Sequence, residues 1–350
     1  MTDLDQRITS VLRERAEGEI DTDRLLNRSR ARGRRRRQRR RAAAGTALAL
    51  VGVLGYVGAT GPDISGLSGR LPWTTATTTP VAAPVPPRAD GVPGAAQRPD
   101  LVGTDPQVLH LGVDPAKGRY LDWGVTGQVE SVRFDAGGGR PVAVSVARSA
   151  AELDGTGIEG ESVEAPSAAT FDGSVQRVPA SDGSPWYVTW WRPAAGLYAR
   201  ASMSASDPFA LVRAIEAIRW DEARRCGGPL RLTTLPAGAR IDSCSVDVSS
   251  FPGVMAVTVN LYRGTSDTMY VRLEYNSGIS GVRSDGNRTV GGRPAYLYPQ
   301  GGQLELLGIP RTHLIATFGL LATGFTEEDA TTLLAGARVA KDPGDPETWD

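Results

Sequence analysis

The sequence is short of the residues that carry most metal and acid–base chemistry. Among its 350 residues there are two cysteines and two histidines. Cys226 and Cys244 have no histidine near them, so they cannot fill the four positions of a tetrahedral zinc site. His110 lies in VLHLG and His313 in THLIATF. Both sit in alternating, strand-like surroundings and read as packing or surface residues rather than bases. Asp and Glu are scattered, with no carboxylate cluster suited to calcium or to glycoside cleavage. There is no HExxH, no Walker loop and no serine nucleophile elbow. Residues 155–160 match GxGxxG, but Pro166 follows where the helix should run, so a loop is expected. No catalytic residue, metal or cofactor is expected, and the chain does not read as an enzyme. An exported hydrolase would need a polar cleft around His110 or His313, and either histidine alone on a strand counts against it.

Lysine is nearly missing too: only Lys117 and Lys341. The formal net charge is zero, yet the charges are unevenly placed. Residues 1–41 hold fourteen of the 39 basic residues and seven of the 39 acidic ones, about +7. The rest of the chain carries the balancing excess of acid. Such a split points to different surroundings for the two parts.

Residues 42–61 have no charged side chain, and 42–60 is just long enough for a helix across a bilayer core. Ala and Gly dilute its Leu and Val. Ten arginines lie between Arg28 and Arg41, and Arg70 is the only basic residue in the 25 that follow Pro62. The positive-inside rule then places the N-terminus in the cytoplasm and the bulk outside, as a single-pass protein of the cell membrane. A signal peptide cut after Ala59 is the alternative. Gly52, Gly55 and Gly58 recur every third residue and suggest close helix packing, hence a homodimer. Arg34, Arg35, Arg36, Arg37, Arg39, Arg40 and Arg41 are candidate contacts to anionic lipid headgroups. Nucleic acid is the weaker reading of this block, since no interleaved aromatics accompany it.

Residues 2–20 place Leu4, Ile8, Val11 and Leu12 on one face of a helix. A lone helix of that length is marginal in water. This apolar face is therefore a candidate surface for a cytoplasmic protein partner. From Pro72 to Pro99 the chain is rich in Pro, Thr and Ala, lacks apolar periodicity, and reads as a disordered linker within 62–100.

Beyond residue 101 short alternating stretches predict strands at 107–112, 128–134, 141–148, 185–192 and 197–203, then a helix over 208–220. The plan recurs with strands at 230–234, 254–262, 268–275, 294–298, 303–307 and 313–321, and a helix over 327–339. Asp207 and Thr326 are the expected N-caps, with Pro208 at the first helical position. The expected fold class is α+β: a cytoplasmic helix and Arg-rich segment (1–41), a transmembrane helix (42–61), the linker (62–100), and two outer modules. These modules span 101–225 and 226–342, each a mainly antiparallel sheet ending in a helix, with a tail at 343–350. Duplication accounts for the recurrence. In an exported domain Cys226 and Cys244 are expected to form a disulfide. In SPWYVTWWRP, Trp186 and Trp190 share one face of a strand, and Tyr187 and Trp191 the other. One pair is a candidate aromatic patch for a peptide or glycan; packing on both faces is the simpler reading.

The first 100 residues resemble a group of actinobacterial single-pass proteins, found beside sigma factors and described as anti-sigma or regulatory proteins. The resemblance lies in LRERA at Leu12–Ala16, the Arg block ending at Arg41, the Ala/Gly-rich span and the Pro/Thr linker. It implies a membrane-anchored sensor or regulator, with outer modules that bind a ligand and a link to sigma-factor signalling. The chain departs from the zinc-containing anti-sigma proteins, because residues 1–41 hold neither Cys nor His. The alternative is a cell-envelope binding or structural protein without a cytoplasmic partner.

Overall fold

The computed structural model describes residues 82–153, 171–179, 185–264, 266–281, 283–319 and 324–349. The chain divides after Thr77, and every described residue belongs to the second unit. The expectations placed on residues 1–61, the helix at 2–20 and the Arg block among them, lie outside the described residues, as do residues 62–81 of the expected linker. Residues 82–100 instead pack on the fold, with Ala89 and Ala95 buried and the Ala95 N–H donating to the His110 carbonyl.

A short strand, β1 (Val108–Leu109), precedes the first half of the fold. That half runs β2 (Gly112–Val113), β3 (Arg119–Thr126), β4 (Val129–Asp135), β5 (Pro141–Ala147), β6 (Val175–Pro179), β7 (Pro185–Trp191), β8 (Tyr198–Ser204), α1 (Pro208–Ile215) and β9 (Ile218–Arg219). After β10 (Arg224–Arg225) comes the second half. It runs β11 (Leu230–Leu232), β12 (Ala239–Asp247), β13 (Val254–Arg263), β14 (Asp267–Asn276), β15 (Arg288–Val290), β16 (Arg293–Leu297), β17 (Gln303–Leu306), β18 (Thr312–Thr317), α2 (Glu327–Ala335) and β19 (Ala337–Val339).

Thirteen strands form one antiparallel sheet in the order β15-β16-β17-β18-β14-β13-β12-β3-β4-β5-β8-β7-β6. Read outward from its middle, the two wings have the same connectivity. β3-β4-β5-β8-β7-β6 matches β12-β13-β14-β18-β17-β16, and β15 is an addition to the second wing. The small ladders match as well: β2 pairs with β9, and β11 with β19. The Asp114 N–H donates to the Ala217 carbonyl at 2.8 Å, and the Thr233 N–H to the Gly336 carbonyl at 3.0 Å. The two backbones therefore repeat each other down to individual hydrogen bonds.

Alternation explains the long strands. In β13, Met255, Val257, Val259 and Leu261 are buried, while Ala256, Thr258 and Asn260 between them are not. β14 does the same with Met269, Val271, Leu273 and Tyr275. Burying each such side chain contributes about 1.5–3 kcal/mol. The helices are capped as their sequences require. Asp207 accepts from the Phe209 N–H above Pro208. Thr326 and Asp329 form a reciprocal capping box on α2.

The expected fold class needs correction. Instead of two α+β modules behind a membrane helix, the described residues form mainly one continuous antiparallel sheet, with only two α-helices. The modules are joined edge to edge by β3 and β12, with Gly124 opposite Ser245. Neither strand is legible as alternation, because each carries an irregularity that shifts its period, at Tyr120/Asp122 and at Ile241/Ser243. Gly124 permits the contact: a Cβ there would lie 2.7 Å from the Cys244 carbonyl oxygen. The helices are also shorter than their periodicity suggests. Their last expected turns are instead β9 and β19, because β2 and β11 offer those residues sheet partners.

The single-pass localisation is corrected too. Among the described residues no helix is long and apolar enough to cross a membrane. The longest, α2, has nine residues, against about 20 for a membrane span. Residues 42–61, on which that expectation rested, lie outside the described residues.

Candidate functional site

A cavity of about 900 Å³ lies at the junction of the two halves. Its floor is the inner face of the second half: Leu230, Leu232, Ile241 and Val259. Trp349 closes one side, and Cys244 lies in the wall. Chain segment 87–90 forms a rim. It runs beside β10, where the Ala89 N–H donates to the Ala223 carbonyl and the Arg225 N–H to the Pro87 carbonyl, at 3.0 and 2.8 Å. Arg224 fixes the corner. It is buried, reaches the Pro86 carbonyl at 3.1 Å and pairs with Glu222 at 2.8 Å.

Cys226 and Cys244 form a disulfide that ties the end of β10 to β12, with Cα atoms 6.2 Å apart. The Trp123 indole N–H donates to the Cys226 carbonyl at 2.7 Å, so the first half grips the same point. Gly227 follows, and a Cβ there would lie 2.2 Å from the Leu230 carbonyl oxygen. Bare backbone at this position lets the chain turn from the disulfide into β11 beside the groove.

The groove has a rim of mixed charge: Arg88 and Arg231 are exposed, and so are Asp90 and Asp105. Beyond β11 a second cleft of about 720 Å³ is lined by Arg231, Thr233, Arg338 and Lys341, with Glu347 as its single acidic residue. Arg231 and Thr233 line both spaces. The two spaces thus adjoin at β11.

Neither histidine stands alone. Fully buried Glu130 accepts from the Gly103 N–H at 2.8 Å, the His110 N–H at 2.5 Å and His110 Nδ1 at 2.7 Å. A carboxylate can only accept, so Nδ1 carries the proton. This dyad is sealed: His110 is 2% exposed. It fastens the 103–110 segment to β4. In the second half, buried Glu305 accepts from His313 Nδ1 at 2.6 Å and from the Tyr298 hydroxyl at 2.8 Å. Here the imidazole is 45% exposed. Burial first, then the Glu305 carboxylate, pushes the Tyr298 hydroxyl up to about 12. The Arg283 guanidinium lies 3.5 Å above the Tyr296 ring beside this cluster. The cluster is an imidazole oriented by a buried carboxylate on an open face. Among the described residues no group of three or more His, Cys, Asp or Glu could hold a metal ion.

The tryptophan strand divides as its spacing dictates. Trp186 and Trp190 join Leu153, Phe171 and Val188 in a small core on the outer face. Tyr187 and Trp191 pack against the main core. Trp190 is 3% exposed and the other three are half-buried. Leu4, Ile8, Val11, Leu12 and the arginines from Arg34 to Arg41 lie outside the described residues. Sequence reading missed the groove. Its floor residues come from β11, β12 and β13 and its rim from segment 87–90. The one local signal was the Cys-Gly-Gly-Pro run at 226–229, a turn with no side chains to fill space.

Fold and site together define an internally duplicated antiparallel β protein with an apolar-floored, charge-rimmed groove where its halves meet. No family model matches the chain, and no curated protein or solved structure compared with it does either.

Proposed function

We propose that this chain is a binding protein of the sensor or regulatory kind, and that its ligand is a small molecule seated in the groove. The observation that supports this is the groove itself. Its volume of about 900 Å³ falls in the range of about 300–1,000 Å³ typical of small-molecule sites. Its floor is aliphatic and its rim is charged, the usual division between affinity and orientation. A ligand there touches the rim at 87–90.

The test uses the neutral dye N-phenyl-1-naphthylamine, whose emission rises in apolar sites. The full chain is expected to bind about one equivalent. Ile241→Arg, at a half-buried position on the groove floor that also packs against the main core, is expected to abolish binding while lowering the melting temperature by a few degrees and leaving the circular-dichroism spectrum of the fold intact. Equal binding by the variant, or none by the native chain, sinks the reading.

A further inference from the structure

We propose that Arg231, Arg338 and Lys341 form an oxyanion subsite that receives the phosphate or carboxylate group of the groove's ligand. This rests on the groove reading above. The argument comes from the repeat. β2 and β11 occupy equivalent places, as do β9 and β19. In the first half Gly112 faces Arg219, and Asp114 neutralises that arginine at 2.5 Å. In the second half Arg231 stands where Gly112 would, directly opposite Arg338. Thr233 stands where Asp114 would. One cation has been added and its counter-charge removed, on an otherwise repeated backbone.

Like charges directly opposite each other destabilise a strand pair. Both arginines are exposed, and Lys341, one of only two lysines in the chain, joins them along the same cleft. None of the three side chains makes a hydrogen bond or ion pair among the described residues. Glu347 lines the cleft but lies within 4.0 Å of none of them, so the cations are left unneutralised. The adjoining Thr233 hydroxyl donates to the Gly336 carbonyl at 2.7 Å and holds β11 against the turn before β19. Arg231 and Arg338 are thus set on a ladder pinned by backbone and hydroxyl bonds, and Lys341 follows in the bend after β19.

Because Arg231 lines both spaces, a ligand with its apolar body on Leu232 and Ile241 can lay its head over β11 between Arg231 and Arg338. Paired guanidinium forks suit planar or tetrahedral oxyanions. The ligand class is an amphiphile with one oxyanionic end.

Octyl phosphate, octanoate and 1-octanol share a tail and differ at the head, and each can be titrated against the bound neutral dye. Octyl phosphate or octanoate is expected to bind at least about tenfold more tightly than octanol, with the advantage shrinking as salt screens it. Arg338→Thr is expected to remove that advantage, leave octanol binding unchanged and raise the melting temperature of the free protein. A purely structural arginine predicts no such split. Which oxyanion wins identifies the head group. If octanol binds as well as both anions, the subsite is wrong and the groove stands. If neither tail nor dye binds, but inorganic pyrophosphate raises the melting temperature of native protein and not of Arg338→Thr, the subsite stands and the groove reading falls. If Arg338→Thr binds the anions as the native chain does, the subsite is refuted.

Discussion

On the outer face of the first half, Val188 and Trp190 of β7 are sealed by Leu153 and Phe171, which the β5–β6 connection lays across them. On the outer face of the second half, the equivalent strand β17 carries Glu305, covered by Tyr298 and half-exposed His313, with Arg283 nearby from the β14–β15 connection. The same topology thus closes one flank with hydrocarbon and the other with a hydrogen-bonded acid. The β2/β9 and β11/β19 ladders diverge in the same sense: a neutralised arginine in the first half, opposed and unneutralised arginines in the second. A backbone fixed by strand pairing leaves the outward positions free to differ. Here the outward positions of the first half pack, and those of the second half present polar and charged groups.

The contrast can be broken most sharply at the two buried glutamates. Glu130→Ala removes three hydrogen bonds inside a sealed site and strands two backbone N–H groups and an imidazole. It is expected to cost about 3–5 kcal/mol, the range for breaking a buried charged contact. Glu305→Ala leaves His313 able to reach water, and should cost about 1–2 kcal/mol, nearer a single lost hydrogen bond. Urea denaturation midpoints of both variants check this. Equal losses would show that the second half is as closed as the first.

The disulfide comes next. It lies at the junction and encloses a separation of 18 residues. Replacing both cysteines with serine is expected to cost about 3 kcal/mol in the loop-entropy picture. The loss should appear as a lower thermal midpoint, together with weaker dye binding, because Cys244 lines the groove. A stable variant with intact dye binding would show that the β3/β12 ladder and the Trp123 contact hold the junction without the disulfide.

The smallest effect separates the two helices in acid. Burial raises the Asp329 pKa, but the Arg263 guanidinium at 3.0 Å and the Thr326 N–H and hydroxyl outweigh it. The net result lies below the ordinary 3.8. A carboxyl depressed in the folded state contributes fully above its unfolded value, and that contribution is lost as pH falls through the folded one. Stability therefore falls with acid below about pH 4 through this group. Asp329→Asn is expected to flatten that limb of a pH–stability curve and to lower stability at neutral pH. An unchanged acid limb would remove Asp329 from the account.

Local chemistry made much of the fold legible. The alternation of β13 and β14, the caps Asp207 and Thr326, and the cysteine pair can be read without coordinates, since each depends on neighbours in sequence. The junction strands could not be read, because β3 and β12 carry Asp, Gly and Ser and each shifts its period at an irregularity. The joining of two modules into one sheet was hidden with them. The histidines show the same limit. VLHLG and THLIATF describe strands, but nothing local says that Glu130 lies beside one histidine, 20 residues on, and Glu305 beside the other.

What the sequence alone determined is therefore short-range: which residues alternate, where helices begin, which charges exist. Tertiary structure decided which of those residues meet. It set β3 against β12, opened a groove over β11, and placed Arg231 opposite Arg338. The reason is physical. Propensity and capping act within a few residues, whereas edge pairing and charge juxtaposition depend on a register set between strands more than a hundred residues apart.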